Sequence, residues 1–113
     1  MSVIIIRKVG FFQQDITNIY VGRKNSYKES FGFDASFLGN PEFMHNECER
    51  EQVCNFYEKV HFPELLKDKR NVSYLKSIKV RLNHGVNFAL ICFCHPKRCH
   101  AETIKNYIDN FGV

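Results

Sequence analysis

Val86-Asn-Phe-Ala-Leu-Ile-Cys-Phe-Cys94 is the stretch that decides the fold. From Phe88 to Phe93 every side chain is apolar. A strand with one face in water would alternate apolar and polar residues, so this run reads as a strand covered on both faces. The residues before it read as a helix. Val72, Leu75, Ile78 and Leu82 recur at helical spacing, Asn71 is placed to cap them, and Asn83-His84-Gly85 ends them with a glycine suited to a left-handed cap. After it, Pro96 forces a turn and keeps His95 out of a helix. A last helix then carries Ile104, Tyr107, Ile108 and Phe111 on one face.

The same reading extends to the N-terminal half. Val3 to Val9 is rich in β-branched residues, the composition of a central strand. Asn18 to Val21 is a second short strand, closed by Gly22-Arg23. Val53, Phe56, Tyr57 and Val60 make a helical face, with Asn46 and Glu49 spaced as a helix start. Pro63 opens a short turn through Leu65 and Leu66. Residues 24–46 show no sustained period, yet hold Tyr27, Phe31, Phe33, Phe37 and Phe43. Covered strands separated by helices imply an α/β fold: a single small layered domain over residues 1–113, with a mainly parallel sheet flanked by helices, Rossmann-like in style. In such folds ligands bind beyond the carboxyl ends of the strands. Gly10–Gln14, Gly22–Lys28 and His95–His100 are the segments expected to meet there.

Composition narrows the function classes. The chain has 113 residues, 44% hydrophobic and 25% charged, which is one globular domain. No run is long enough to span a bilayer, and the N-terminus does not have the form of a signal peptide. The five cysteines therefore read as thiols or ligands in a reducing, cytoplasmic setting. The net charge of +4 favours phosphates, nucleotides or nucleic acid as partners and gives no reason to expect a membrane. No glycine-rich phosphate loop, dinucleotide fingerprint or zinc-protease histidine pair is present.

The run Cys92-Phe-Cys94-His-Pro96-Lys-Arg-Cys99-His100 holds the densest chemistry. Cys99 and His100 fall near the first turn of the last helix, where unpaired amides and the helix dipole favour negative charge. Three readings compete there. In the first, the turn is an anion or nucleotide pocket aided by Arg23 and Arg98. In the second, Cys92, Cys94, Cys99 and His100 hold zinc, although the spacing is not the usual two-residue knuckle. In the third, Cys99 is a nucleophile helped by His100 or His95. The bland alternative is a buried cysteine beside a capping histidine. Glu51 and Glu102 are candidate acids, or first-turn carboxylates that complement helix dipoles.

Tyr20-Val-Gly22-Arg23, Gly39-Asn40-Pro41, Arg50-Glu51 with Val53 and Tyr57, and the cysteine-histidine run together resemble a bacterial and bacteriophage family known as domain of unknown function 4326. The Cys-His turn is also similar to a second uncharacterised α/β family whose last motif reads Cys-His-Arg. Here Leu38 stands where the first family has an aromatic, Glu42 precedes Phe43, Phe93 replaces Trp, and Ala101-Glu102 replaces Gly-Asp. The resemblance implies a shared site built from Arg23, Asn40, Glu51 and the Cys-His turn, and it implies no reaction. The reading is then a protein that binds a nucleotide-like or other phosphorylated ligand through Tyr20, Gly22, Arg23, Asn40, Arg98, Cys99, His100 and Glu102. Catalysis is left open, with Cys99, His100 and Glu51 as candidates, and no cofactor is expected. The alternative is a non-enzymatic module, with or without zinc, that binds nucleic acid or a host protein. The expected location is the cytoplasm, a host's if a phage encodes the chain.

Overall fold

A computed structural model describes residues 3–8, 16–22, 33–40, 46–92 and 98–111. Four strands, β1 (Ile4–Lys8), β2 (Thr17–Tyr20), β3 (Phe33–Asp34) and β4 (Phe88–Cys92), form one sheet in the order β1-β4-β2-β3. Every pairing is parallel. Strand β4 is therefore interior, with Leu90 opposite Ile6 on one side and Ile19 on the other. All five of its residues are buried, as the apolar run requires. Burying a side chain such as Phe88, Leu90 or Ile91 contributes roughly 1.5–3 kcal/mol.

Strand alternation divides the core in two. Ile4, Ile19, Val21, Phe88, Leu90 and Cys92 face the larger cluster. Tyr20, Ala89 and Ile91, with Ile5 and Ile16, form a smaller one on the opposite face. The helices are α1 (Arg50–Phe56), α2 (Phe62–Leu65), α3 (Lys69–Asn83) and α4 (Ala101–Asp109). Phe62, Leu75, Ile78, Leu82, Ile104 and Ile108 all enter the larger cluster. Among the described residues no helix contributes to the smaller one. Among the described residues, too, no helix is long and apolar enough to cross a membrane.

Several local expectations are corrected. Asn46 does not cap a helix through its side chain. Its Oδ1 accepts instead from the Cys48 thiol, and a short 3₁₀ turn, Glu47–Glu49, leads into α1. Pro63 does lie in the first turn of the short helix α2, which runs on to Leu65 and is capped at Leu66, but that helix is continuous with the one before it. A π-helical turn, Tyr57–His61, joins α1 to α2, and the Phe62 N–H donates to the Tyr57 carbonyl. Proline lacks an amide and its ring crowds the carbonyl four residues back, so a widened turn just before Pro63 accommodates it. Asn71 lies inside α3 and donates to the Leu65 carbonyl at 2.7 Å. The cap is Asp68, whose Oδ1 accepts the Arg70 N–H at 2.9 Å. Gly85 does adopt the left-handed conformation, with φ +97°. The Val86 N–H then reaches the Arg81 carbonyl at 3.0 Å and closes the helix.

The Asp68 cap makes a pH-dependent prediction. Hydrogen bonds from the Arg70 side chain and amide hold the Asp68 carboxyl below its ordinary range. A depressed folded-state pKa stabilises above the unfolded value, and that stabilisation is lost as pH falls through the folded value. Asp68→Ala is thus expected to lower Tm at neutral pH, with the gap from wild type closing below about pH 4. A gap that stays constant down to pH 2 would contradict this. Scanning calorimetry across pH reads it directly.

Candidate functional site

Because the sheet is parallel, the carboxyl ends of all four strands lie along one edge. Chain after β2 reaches that edge as Val21-Gly22. Strand β3 leads through Ala35 and a 3₁₀ turn, Ser36–Leu38, to Gly39-Asn40. Beyond β4, the chain re-enters the described residues at Arg98-Cys99-His100 and starts α4. Long-range bonds tie these pieces together. The His100 Nε2 lies 2.6 Å from the Val21 carbonyl oxygen. A carbonyl only accepts, so Nε2 carries the proton, and in the neutral ring Nδ1 is the acceptor. The Tyr57 hydroxyl donates to the Leu38 carbonyl at 2.6 Å, and the Tyr57 and His100 rings are 5.0 Å apart. The buried Asn40 donates through Nδ2 to the Val53 carbonyl of α1 at 3.2 Å.

Glycines allow the closest approach. A Cβ on Gly39 would lie 2.9 Å from the Gly22 carbonyl oxygen and 3.0 Å from that of Ser36. A Cβ on Gly22 would meet the Tyr20 ring at 2.6–2.7 Å, and that ring is fully buried. Tyr20 is therefore packed under Gly22 as part of the smaller cluster, not presented as an open stacking surface.

The first turn of α4 is built unlike a plain anion site. His100 is already helical, with φ −59° and ψ −21°, so the turn begins at Cys99. Cys99-His100-Ala101-Glu102 has the spacing of a capping box. Cys99 Sγ accepts the Ala101 N–H at 3.3 Å, and Glu102 Oε2 accepts the Cys99 N–H at 3.2 Å. Two amides expected to face a ligand are thus occupied by the chain's own groups. The Cys99 Sγ is also 3.0 Å from Cys92 Sγ and 3.9 Å from His100 Nδ1. Cys92 is a core residue, as the strand pattern implies.

Arg98 faces away from the Cys-His turn, toward α1. Its guanidinium donates to Asn55 Oδ1 at 2.9 Å, approaches Glu58 at 3.3 Å and lies 3.8 Å from the exposed Glu51 carboxylate. The Arg50 guanidinium donates to the Arg98 carbonyl at 2.9 Å while forking onto Glu47. These contacts fasten α1 to the start of α4. Glu51 belongs to that fastening rather than to the turn itself.

Arg23, Cys94, His95 and Pro41 lie outside the described residues, as do residues 10–14. Among the described residues no group of three or more His, Cys, Asp or Glu is placed to hold a metal ion. A separate open groove, about 490 Å³, runs between the Ser36–Leu38 turn and α2–α3, lined by Phe37, Leu65, Asp68, Arg70, Asn71 and Tyr74. Helical spacing puts Tyr57 on an apolar face, and the family resemblance adds it to a motif. Its hydroxyl link to Leu38 has no local signature, since the two residues are 19 apart.

No curated protein and no solved structure matches the chain. A family model does match, over residues 6–110, and its span covers Gly22, Gly39-Asn40, Tyr57 and the Cys-His turn together. The chain belongs to the family described as Domain of unknown function (DUF4326).

Proposed function

We propose that the protein binds a nucleotide-like or other phosphorylated ligand at the carboxyl edge of its sheet, in the cytoplasm of the cell that makes it. The observation that carries this reading is the convergence there of Val21-Gly22, Gly39-Asn40 and Cys99-His100, with two buried polar side chains, Asn40 and His100, in a fold whose ligands characteristically lie at that edge. The contacts of α4 and Arg98 sharpen the assignment of charge. Glu102 and Cys99 take two amides of the turn, and Arg98 is committed to α1. The phosphate then falls to Arg23, the residue immediately after Gly22.

A panel of nucleoside mono-, di- and triphosphates, sugar phosphates and inorganic phosphate tests this by thermal shift. A ligand at about 100 times its Kd stabilises by about 2.7 kcal/mol, a rise on the order of 10 °C for a domain this size. Arg23→Ala is expected to keep the unliganded Tm and lose most of that rise. If no compound raises Tm, or the variant responds like wild type, the reading is wrong.

A further inference from the structure

We propose that Cys92 and Cys99 are an oxidisable pair, which a hydroperoxide converts into an intramolecular disulfide. Their sulfurs are 3.0 Å apart, one at the end of β4 and the other at the start of α4. A disulfide requires them to close by about 1 Å. The two residues differ in setting, and the difference orders the steps. Cys99 has the greater residual exposure, 4% against 1%, and its sulfur accepts the Ala101 N–H at the head of a helix. The greater exposure makes Cys99 the sulfur that a peroxide reaches first. Cys92 sits at the end of the interior strand β4.

The chemistry balances with the peroxide as the only oxidant. The Cys99 thiolate attacks one peroxide oxygen, so an S–O bond forms and the O–O bond breaks. The departing oxide takes a proton and leaves as water or an alcohol. Cys99 is then a sulfenic acid. The Cys92 thiolate next attacks the Cys99 sulfur, the S–S bond forms, the S–O bond breaks, and the hydroxide takes up the Cys92 proton and leaves as water. Two thiols are oxidised by two electrons and one peroxide is reduced. Reversible disulfides of this kind are compatible with a reducing compartment. The exposed Cys48 and the buried Cys54 supply internal references in the same chain.

The test is hydrogen peroxide titration of the folded wild-type protein, followed by alkylation of remaining thiols and tryptic mapping. Trypsin cuts after Lys97 and Arg98, so a disulfide to Cys99 appears as two joined peptides, and because Cys92 and Cys94 share one of them, fragment-ion sequencing assigns which of the two is linked. The Cys92–Cys99 link is expected to exceed any other pairing by about tenfold, because the fold holds these sulfurs together, and dithiothreitol should reverse it. In Cys92→Ser, dimedone should label Cys99. Oxidation of Cys48 while Cys92 and Cys99 both remain alkylatable after denaturation would overturn the proposal. So would a dominant Cys94–Cys99 link. Neither result depends on the variant folding.

Discussion

Tyr57→Ala is expected to lower the unfolding free energy by about 3–5 kcal/mol, and Tyr57→Phe by about 1–3 kcal/mol. A domain of this size has only about 5–15 kcal/mol in all, so the alanine variant should be close to unfolded at 37 °C. The reasoning for the larger figure is packing. Tyr57 is fully buried and touches the rings of His61, Phe62 and His100. Removing the ring leaves a void between the π turn and the Cys-His turn. The smaller figure isolates the hydroxyl, whose loss strips the Leu38 carbonyl of its 2.6 Å donor. Urea unfolding measures both, and a phenylalanine variant within 0.5 kcal/mol of wild type would contradict the account of this bond. The same residue adds an alkaline signature. Burial first, and the nearby Cys99 second, push the Tyr57 phenol well above its usual range. A raised folded-state pKa stabilises below the unfolded value, near pH 10, and the stabilisation fades as pH rises beyond it. The gap between wild type and Tyr57→Phe should therefore narrow above about pH 10.

The second large effect is at Gly39. Its φ is −67°, so any residue could adopt the backbone conformation. The obstacle is space. An added Cβ meets two backbone carbonyl oxygens at 2.9 and 3.0 Å, and backbone cannot turn aside as a side chain can. Overpacking of this kind costs about 1–3 kcal/mol. Gly39→Ala should therefore separate Gly39-Asn40 from Gly22, lowering both stability and affinity for any ligand of the edge. Gly22→Ala is expected to act similarly by displacing the buried Tyr20 ring. An alanine at position 39 with wild-type stability would show that the two glycines do not set this approach.

The parts of this structure that sequence revealed share a property: their signals are local or periodic. The β4 run, the inward face of α3 and the left-handed Gly85 are each visible in a dozen residues or fewer. Strand β3 was not, because Phe33-Asp34 is two residues long and exposed on both. Two residues cannot alternate legibly, and the pairing with Ile19 and Tyr20 is what makes them a strand. Caps are ambiguous in the sequence for a related reason. Asn46, Asp68 and Asn71 all have oxygens suited to capping, and only the path of the chain decides that Asp68 does it while Asn71 bonds Leu65. At the site, motif spacing placed Cys99 and His100 at a helix start. It could not give the His100–Val21 bond, which joins residues 79 apart, or show that Glu102 and Cys99 close the turn on itself. That closure moves the expected phosphate contact from the helix amides to Arg23.

The measurement that bears most directly on the proposed ligand site at the carboxyl edge of the sheet is an amide chemical-shift titration. ¹⁵N-labelled protein would be titrated with the four ribonucleoside monophosphates and with inorganic phosphate. The account predicts that at least one of them moves the amides of Gly22, Arg23, Gly39, Asn40 and His100 most. Shifts centred instead on Phe37, Arg70 and Tyr74 in the separate groove, or no saturable shift with any of the five, would contradict it.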